Sequence, residues 1–329
     1  MIDLSLVVLT WNARELVAAC LASVERTMRG PEGGAGLVVE TIVVDNGSQD
    51  GTVEMLHARF PWVETLALPR NLGFAGGCNA GLARARGRAI ALLNNDTELL
   101  PGCLEACVRF LDAEAGVGVV GPQLLHPDGR LQNSIHNAPT LLSELVPLGI
   151  LETLWPRRFP SKRQRYTEPV DVEAVLGACM VVRREALAEV GPLPEDYFFF
   201  LEETDWLVAM RQAGWRVVHL PAARLVHVHG ATTKKRVPLA TRIEYHRSLY
   251  RFFLERRGRG QASLVIGIRV VKLLFALTLL APLALLLPRE RSRWGERARI
   301  LVWHLRGRPA SWGLAGVGTA GVGTAEGTT

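Results

Sequence analysis
The sequence predicts an α/β fold: a mostly parallel central sheet flanked by helices, followed by a C-terminal helical appendage. Three observations predict it. Short, continuous apolar runs such as Leu4–Leu9 alternate with helical stretches as far as Gly230. A strand that is apolar on both faces is one covered on both faces. Polar and glycine-rich clusters follow these runs, at the carboxyl ends where open α/β sheets bind ligands. Charge is also segregated: the net +6 divides into 18 basic and 4 acidic residues from Lys234 to Arg308, against 20 basic and 28 acidic elsewhere.

Leu4–Leu9 is the first strand, and Leu16, Cys20 and Val24 at i, i+4 and i+8 mark the first helix. Val38–Val44 is the second strand, followed by a polar turn and a helix around Thr52–Arg59. Val63–Leu68, Ala89–Leu93 and Val117–Val120 supply three more strands. From Gln123 to Glu168 prolines are frequent and periodicity is weak, which predicts an irregular excursion. Order resumes with one strand over Val170–Arg183, carrying the small pair Gly177-Ala178, and a helix ending before Gly191-Pro192. A further helix runs from about Thr204 to Ala213, closed by Gly214, and strands follow at Trp215–His219 and Arg224–His229.

An apolar content of 48% without glycine periodicity excludes a disordered or collagen-like chain. Five cysteines make no dense framework, and Cys103 and Cys107 stand one helical turn apart, so reduced core thiols are expected. A strand follows Met1 directly, with no basic and apolar leader, which predicts a cytoplasmic start. The acidic body with its basic appendage argues against nucleic acid as a partner and for an anionic membrane surface.

Leu264–Leu287 is strongly apolar but interrupted by Arg269 and Lys272. Its uncharged part falls short of the ~20 residues a spanning helix needs, contains Pro282, and has arginines on both sides. A helix lying in the inner leaflet is expected, attaching the protein peripherally to the inner face of the cell membrane. A spanning hairpin, or a helix packed on the body, are the alternatives. The expected boundaries are a body over 1–233, a basic and apolar helical region over 234–310, and a low-complexity, disordered tail over 311–329.

Four clusters carry chemistry. Asp45-Asn46-Gly47-Ser48 ends the second strand, where a carboxylate can accept hydrogen bonds from a base or ribose, though Asp and Ser also suit a turn. Arg70-Asn71-Leu72-Gly73-Phe74, continuing to Asn79, has glycines that would let a ligand approach the backbone, with a helix N-terminus behind for phosphate. Asn94-Asn95-Asp96 puts an acidic end on an apolar strand, and a hard cation needs few protein oxygens when phosphates complete its shell. His227 and His229 share one face of the last strand and suit that cation, leaning the choice toward Mn²⁺ over Mg²⁺. Finally, an aromatic run delivers Glu202, Glu203 and Asp205 to a helix's first turn, where dipole and burial oppose each other in setting a base.

In this order and spacing the clusters, covering Leu4 to Thr232, resemble glycosyltransferase family 2 and particularly its rhamnosyltransferase-like members. The resemblance implies the GT-A (nucleotide-diphospho-sugar transferase) fold and an inverting, metal-dependent transfer. It implies that Thr10, Asn12, Asp45, Asn46, Arg70, Asn71, Gly73, Phe74, Asn79, Asn94 and Asn95 line the nucleotide-sugar donor. Gly177, Ala178 and Asp205 would face the acceptor, Asp96, His227 and His229 would hold Mn²⁺ or Mg²⁺, and Glu203, paired with Glu202, would be the base. Rhamnose from a deoxythymidine-diphosphate (dTDP) donor and a lipid-linked or cell-envelope glycan acceptor follow from the same resemblance. Three positions depart from the family pattern: Asn94 replaces an Asp, Glu203 replaces an Asp, and Ala209 stands where an Arg is common. These departures keep open a catalytically inactive, membrane-attached sugar-nucleotide-binding or scaffold protein. A nucleotidyltransferase is the other alternative, without the basic loop near the first strand that it would need.

Overall fold
The computed structural model describes residues 1–29, 36–161, 164–228 and 238–314. It separates into two compact units: Met1–Ala138, Leu148–Tyr197 and Glu202–Thr232 form the first, and Pro139–Pro147, Phe198–Leu201 and Thr233–Thr329 the second.

In the first unit, β1 (Leu4–Thr10), α1 (Arg14–Val24), β2 (Val39–Asp45), α2 (Thr52–Arg59), β3 (Glu64–Ala67), α3 (Gly73–Leu82) and β4 (Ala89–Asn94) alternate as predicted. They are followed by β5 (Thr97–Leu99), α4 (Cys103–Ala113) and β6 (Val117–Leu125). The strand order is β3-β2-β1-β4, all parallel, continuing through β10 (Cys179–Arg183), β6, β11 (Arg216–His227) and β5. β10 runs antiparallel between β4 and β6, and β11 runs parallel to β6. Alternation along each strand builds two cores. Leu4, Leu6 and Val8 pack with Val17 and Leu21 of α1 and Leu104 and Val108 of α4. Val7, Ile42 and Val44 pack with Ala75 and Cys78 of α3 and with Trp206, Leu207 and Met210. All five cysteines are buried free thiols, and burial pushes Cys20 up to about 12.

Three elements differ from expectation. Val170–Arg183 is not one strand but β8 (Val170–Asp171), β9 (Ala174–Val175) and β10, because β8 pairs β11 while β9 pairs β7 (Ile135–His136). The two strands expected after Trp215 are one, β11, with its register slipping between Leu220 and Arg224 where Pro221 cannot donate to the ladder. The Pro-rich excursion contains β7 and the helices α5 (Leu141–Leu145) and α6 (Leu148–Leu154). The helices α7 (Arg184–Val190) and α8 (Glu202–Gln212) complete this unit.

The second unit is built on α9 (Pro238–Leu286), kinked at Gly258 where φ is 84°, and α10 (Pro288–Leu305), with Leu287-Pro288 breaking the helix between them. Arg269 is held bidentate by Glu144 of α5 at 2.7 and 2.9 Å, and the Lys272 ammonium bonds the Glu144 carbonyl. The two charges that interrupt the apolar sequence are thus answered within the unit. Val271, Phe275 and Leu279 remain exposed at 64%, 69% and 62%. Leu239–Leu286 is long and apolar enough to cross a membrane by length and composition, unlike the shorter uncharged stretch considered from sequence. Phe198–Leu201 also belongs to this unit: Ser248 Oγ donates to Phe199 O at 2.8 Å, and the Phe200 ring meets Tyr245 edge-on.

Candidate active site
The carboxyl ends of β1, β2 and β4 lie side by side, with Thr10 in register with Asp45 and Leu9 with Asn94. Cross-bonds lace them together. Asn46 N–H donates to Thr10 O at 2.8 Å, and Asn95 Nδ2 to Thr10 Oγ1 at 3.0 Å. Asn12, at φ 46°, accepts the Gln49 N–H on Oδ1 and donates its own N–H to Ser48 Oγ, both at 2.8 Å. Its side chain therefore orders the turn. Asp45 Oδ2 accepts the Ser48 N–H at 2.9 Å, whereas Oδ1 is buried with no partner among the described residues. A buried acceptor left unpaired costs about 1–3 kcal/mol, so this atom is suited to a ligand N–H or hydroxyl.

Asn46 carries the next loop. Its Nδ2 donates to Asn71 Oδ1 at 3.0 Å and Gly73 O at 2.9 Å, and its Oδ1 accepts the Leu72 N–H at 2.9 Å. Gly47 has φ 80°, and a Cβ there would lie 2.7 Å from Arg70 Cα, so only glycine lets turn and loop touch. Arg70 is exposed, and Phe74 is half-buried, packed against the second core. Gly77 and Gly81 of α3 have a different use from the one expected. A Cβ at Gly77 would sit 2.4 Å from Leu9 Cδ1, and one at Gly81 2.3 Å from Val7 Cγ1. The close approach they permit is of helix to sheet. Asn79 is likewise committed, its Nδ2 donating to Leu193 O and Glu195 Oε1, both at 2.8 Å, and its Oδ1 accepting the Leu193 N–H at 2.9 Å. It braces that segment, with no amide atom left over for a donor.

Asp96 and His227, distant in sequence, come together: Nε2 lies 3.4 Å from Asp96 Oδ1, with side chains 6% and 10% exposed for His and Asp. β11 pairs with β5, and Val228 N–H donates to Asp96 O at 2.8 Å, which fixes the juxtaposition through backbone. Two ligands at right angles on a cation ~2.1 Å from each would lie roughly 3 Å apart, so the spacing fits a shared divalent ion. Among the described residues no third carboxylate, thiol or imidazole joins them. That donor set suits a cation whose shell is completed by substrate phosphates and water. His229 lies outside the described residues.

Asn94 N–H donates to Ala178 O at 3.0 Å, tying the end of β4 to the Gly177-Ala178 turn. Gly177 in turn faces Glu203, since a Cβ on it would be 3.5 Å from the Glu203 Cγ, Cδ and Oε1. The chain of contacts from Asp96 to Glu203 is therefore a few residues long. Burial raises the Glu203 carboxyl above its ordinary value, and its Oε2 is buried with no partner among the described residues. Glu202, Thr204 and Asp205 are buried in the same first turn, and Trp206 Nε1 anchors α8 to Gly191 O at 2.8 Å. The backbone enters this helix through Phe200 and Leu201, both left-handed at φ 73° and 66°. Each such non-glycine residue stores about 1–3 kcal/mol. Arg211 contacts Glu173 at 3.8 Å.

Ser48, already part of the first cluster, holds Asn12. Sequence reasoning passed over Gln132, whose Oε1 meets His227 Nδ1 at 2.7 Å. The signal for Gln132 was present in Asp128-Gly129, a turn dipeptide at which Leu125 and Leu131 bridge antiparallel and send the chain back along β6.

A family model described as glycosyl transferase family 2 matches residues 5–191. The chain is 30% identical over 235 residues to the N-acetylglucosaminyl-diphospho-decaprenol L-rhamnosyltransferase of Mycobacterium tuberculosis, covering 67% of this chain and 76% of that protein. Among solved structures, the mannosyltransferase PcManGT from Pyrobaculum calidifontis, in complex with GDP-Man and Mn²⁺, superposes with a TM-score of 0.53 at 18% identity. The match covers 92% of this chain and 87% of that one. S. aureus TarS gives a TM-score of 0.52 at 15% identity over 81% of this chain and 42% of its own.

Proposed function
We propose, starting from the fact that this chain belongs to glycosyltransferase family 2, that it transfers rhamnose from dTDP-rhamnose to a hydroxyl of a lipid-linked or envelope glycan, with inversion. The observation that supports this reading is the Asp96–His227 pair, together with the Asn94 N–H bonded to Ala178 O and Gly177, next to Ala178, facing Glu203. The relative's activity supports the choice of sugar and of a polyprenyl diphosphate acceptor.

The unpaired Asp45 Oδ1 receives the donor's base or ribose, and the Asn46-held loop from Arg70 to Gly73 closes over the nucleotide. Asp96 and His227 would hold the divalent cation, which, when bound, offsets negative charge on the departing diphosphate. Glu203 takes the proton from the acceptor hydroxyl as that oxygen attacks the anomeric carbon opposite the leaving group. Burial favours its protonated form, so it accepts the proton more readily than an exposed carboxylate and must be ionised before each turnover. Fixed positioning of donor and acceptor supplies much of the acceleration.

The exposed apolar face of α9, with the arginines of α10 next to it in sequence, attaches the protein to the inner face of the cell membrane, where such an acceptor resides. Incubation with dTDP-rhamnose, Mn²⁺ and a polyprenyl-diphosphate-linked N-acetylglucosamine tests the whole reading. A rhamnosylated lipid with inverted configuration is expected. A product of retained configuration, or donor binding with no transferred sugar, would overturn it.

A further inference from the structure
We propose that Gln132 is a positioning residue for the cation site, fixing the His227 tautomer so that the nitrogen facing Asp96 carries the lone pair. This rests on the reading of Asp96 and His227 as cation ligands.

The backbone carbonyl of His227 can only accept, so the Gln132 end that faces it at 3.4 Å is the Nε2 amide. The same Nε2 lies 3.3 Å from His126 Nδ1. The other end, Oε1, then meets His227 Nδ1 at 2.7 Å, and an amide oxygen there requires a proton on Nδ1. A neutral imidazole has one N–H, so Nε2 presents its lone pair toward Asp96 Oδ1, 3.4 Å away. Two electron-rich atoms at that spacing are stabilised by a cation between them. The amide cannot drift, because Gln132 is buried and its backbone is tied on both sides. Its N–H donates to Leu124 O at 2.8 Å, and its carbonyl accepts from Gln123 Nε2 at 2.8 Å and Ser134 Oγ at 3.1 Å. Outer groups of this kind set ring orientation and ligand basicity at metal-binding histidines.

The test reads the ring and the metal separately. In metal-free, ¹⁵N-labelled full-length protein above the imidazole titration range, two-bond ¹H–¹⁵N spectra should show His227 as the Nδ1–H tautomer. Mn²⁺ titration followed by electron paramagnetic resonance should show Gln132→Leu binding about 10- to 100-fold more weakly than wild type. Gln132→Glu, whose carboxylate still accepts from Nδ1, should recover much of that loss. An Nε2–H ring in the wild type overturns the proposal even if Gln132→Leu fails to fold. So does a folded Gln132→Leu with unchanged Mn²⁺ affinity. A wild type that shows the Nδ1–H ring yet binds no Mn²⁺ overturns the cation reading, and the proposal with it, and is told apart by that spectrum.

Discussion

Glu203→Gln separates chemistry from architecture. The replacement keeps the shape of a side chain packed against Gly177 but removes the proton acceptor and the charge. Losing a positioned base costs about 10²- to 10⁴-fold in rate, so transfer should fall by at least that factor while donor affinity stays near wild type. Stability should move the other way. The folded carboxyl sits above its ordinary value because of burial, so the native state holds the proton more tightly than the unfolded chain. At pH below the unfolded value both states are protonated and the substitution gains nothing. As pH rises through the folded value, the wild type loses stability by about 1.4 kcal/mol for each unit separating the two values. The glutamine variant does not. Thermal unfolding should therefore show Glu203→Gln gaining on wild type between acid and neutral pH, and the wild-type rate should fall on the acid side above the usual carboxylate range. Near-wild-type turnover would refute the base assignment. A stability gain independent of pH would refute the burial argument.

Asp96→Ala should weaken nucleotide-sugar binding in Mn²⁺ and have little effect in chelator, by calorimetry; equal loss in both would remove Asp96 from the cation site. Gly81→Ala places a methyl 2.3 Å from Val7 Cγ1 between α3 and β1, and overpacking of this kind costs about 1–3 kcal/mol. Denaturant unfolding should show it, and unchanged stability would mean the helix can slide outward. Phe275→Glu with Leu279→Glu should move the protein from membrane pellet to supernatant with donor binding retained. Continued sedimentation with membranes would reject α9 as the attachment surface.

Much of the fold was legible because its signals are local. Leu4–Thr10, Val39–Asp45 and Ala89–Asn94 are apolar enough that only strands covered on both faces accommodate them, and each ends in the polar residues that mark the carboxyl edge. The uses of Asn79 and of Gly77 and Gly81 were not legible. A glycine that admits a ligand and one that admits Val7 have the same letter, and only the packing partner distinguishes them. Gln132 escaped for a related reason: its role depends on β6 and β11 pairing in parallel, a contact between residues 98 to 101 positions apart.

By itself the sequence determined the strand and helix alternation, the burial of the thiols and the supply of acids, amides and imidazoles at strand ends, since those follow from residue type and short-range spacing. Tertiary structure alone decided which of them meet. The sheet order, with antiparallel β10 inserted between β4 and β6, carries Ala178 to Asn94 and Gly177 to Glu203. β11 carries His227 to Asp96. Hydrogen bonds and electrostatics act over a few ångströms, and that proximity is set by the folded path of the chain.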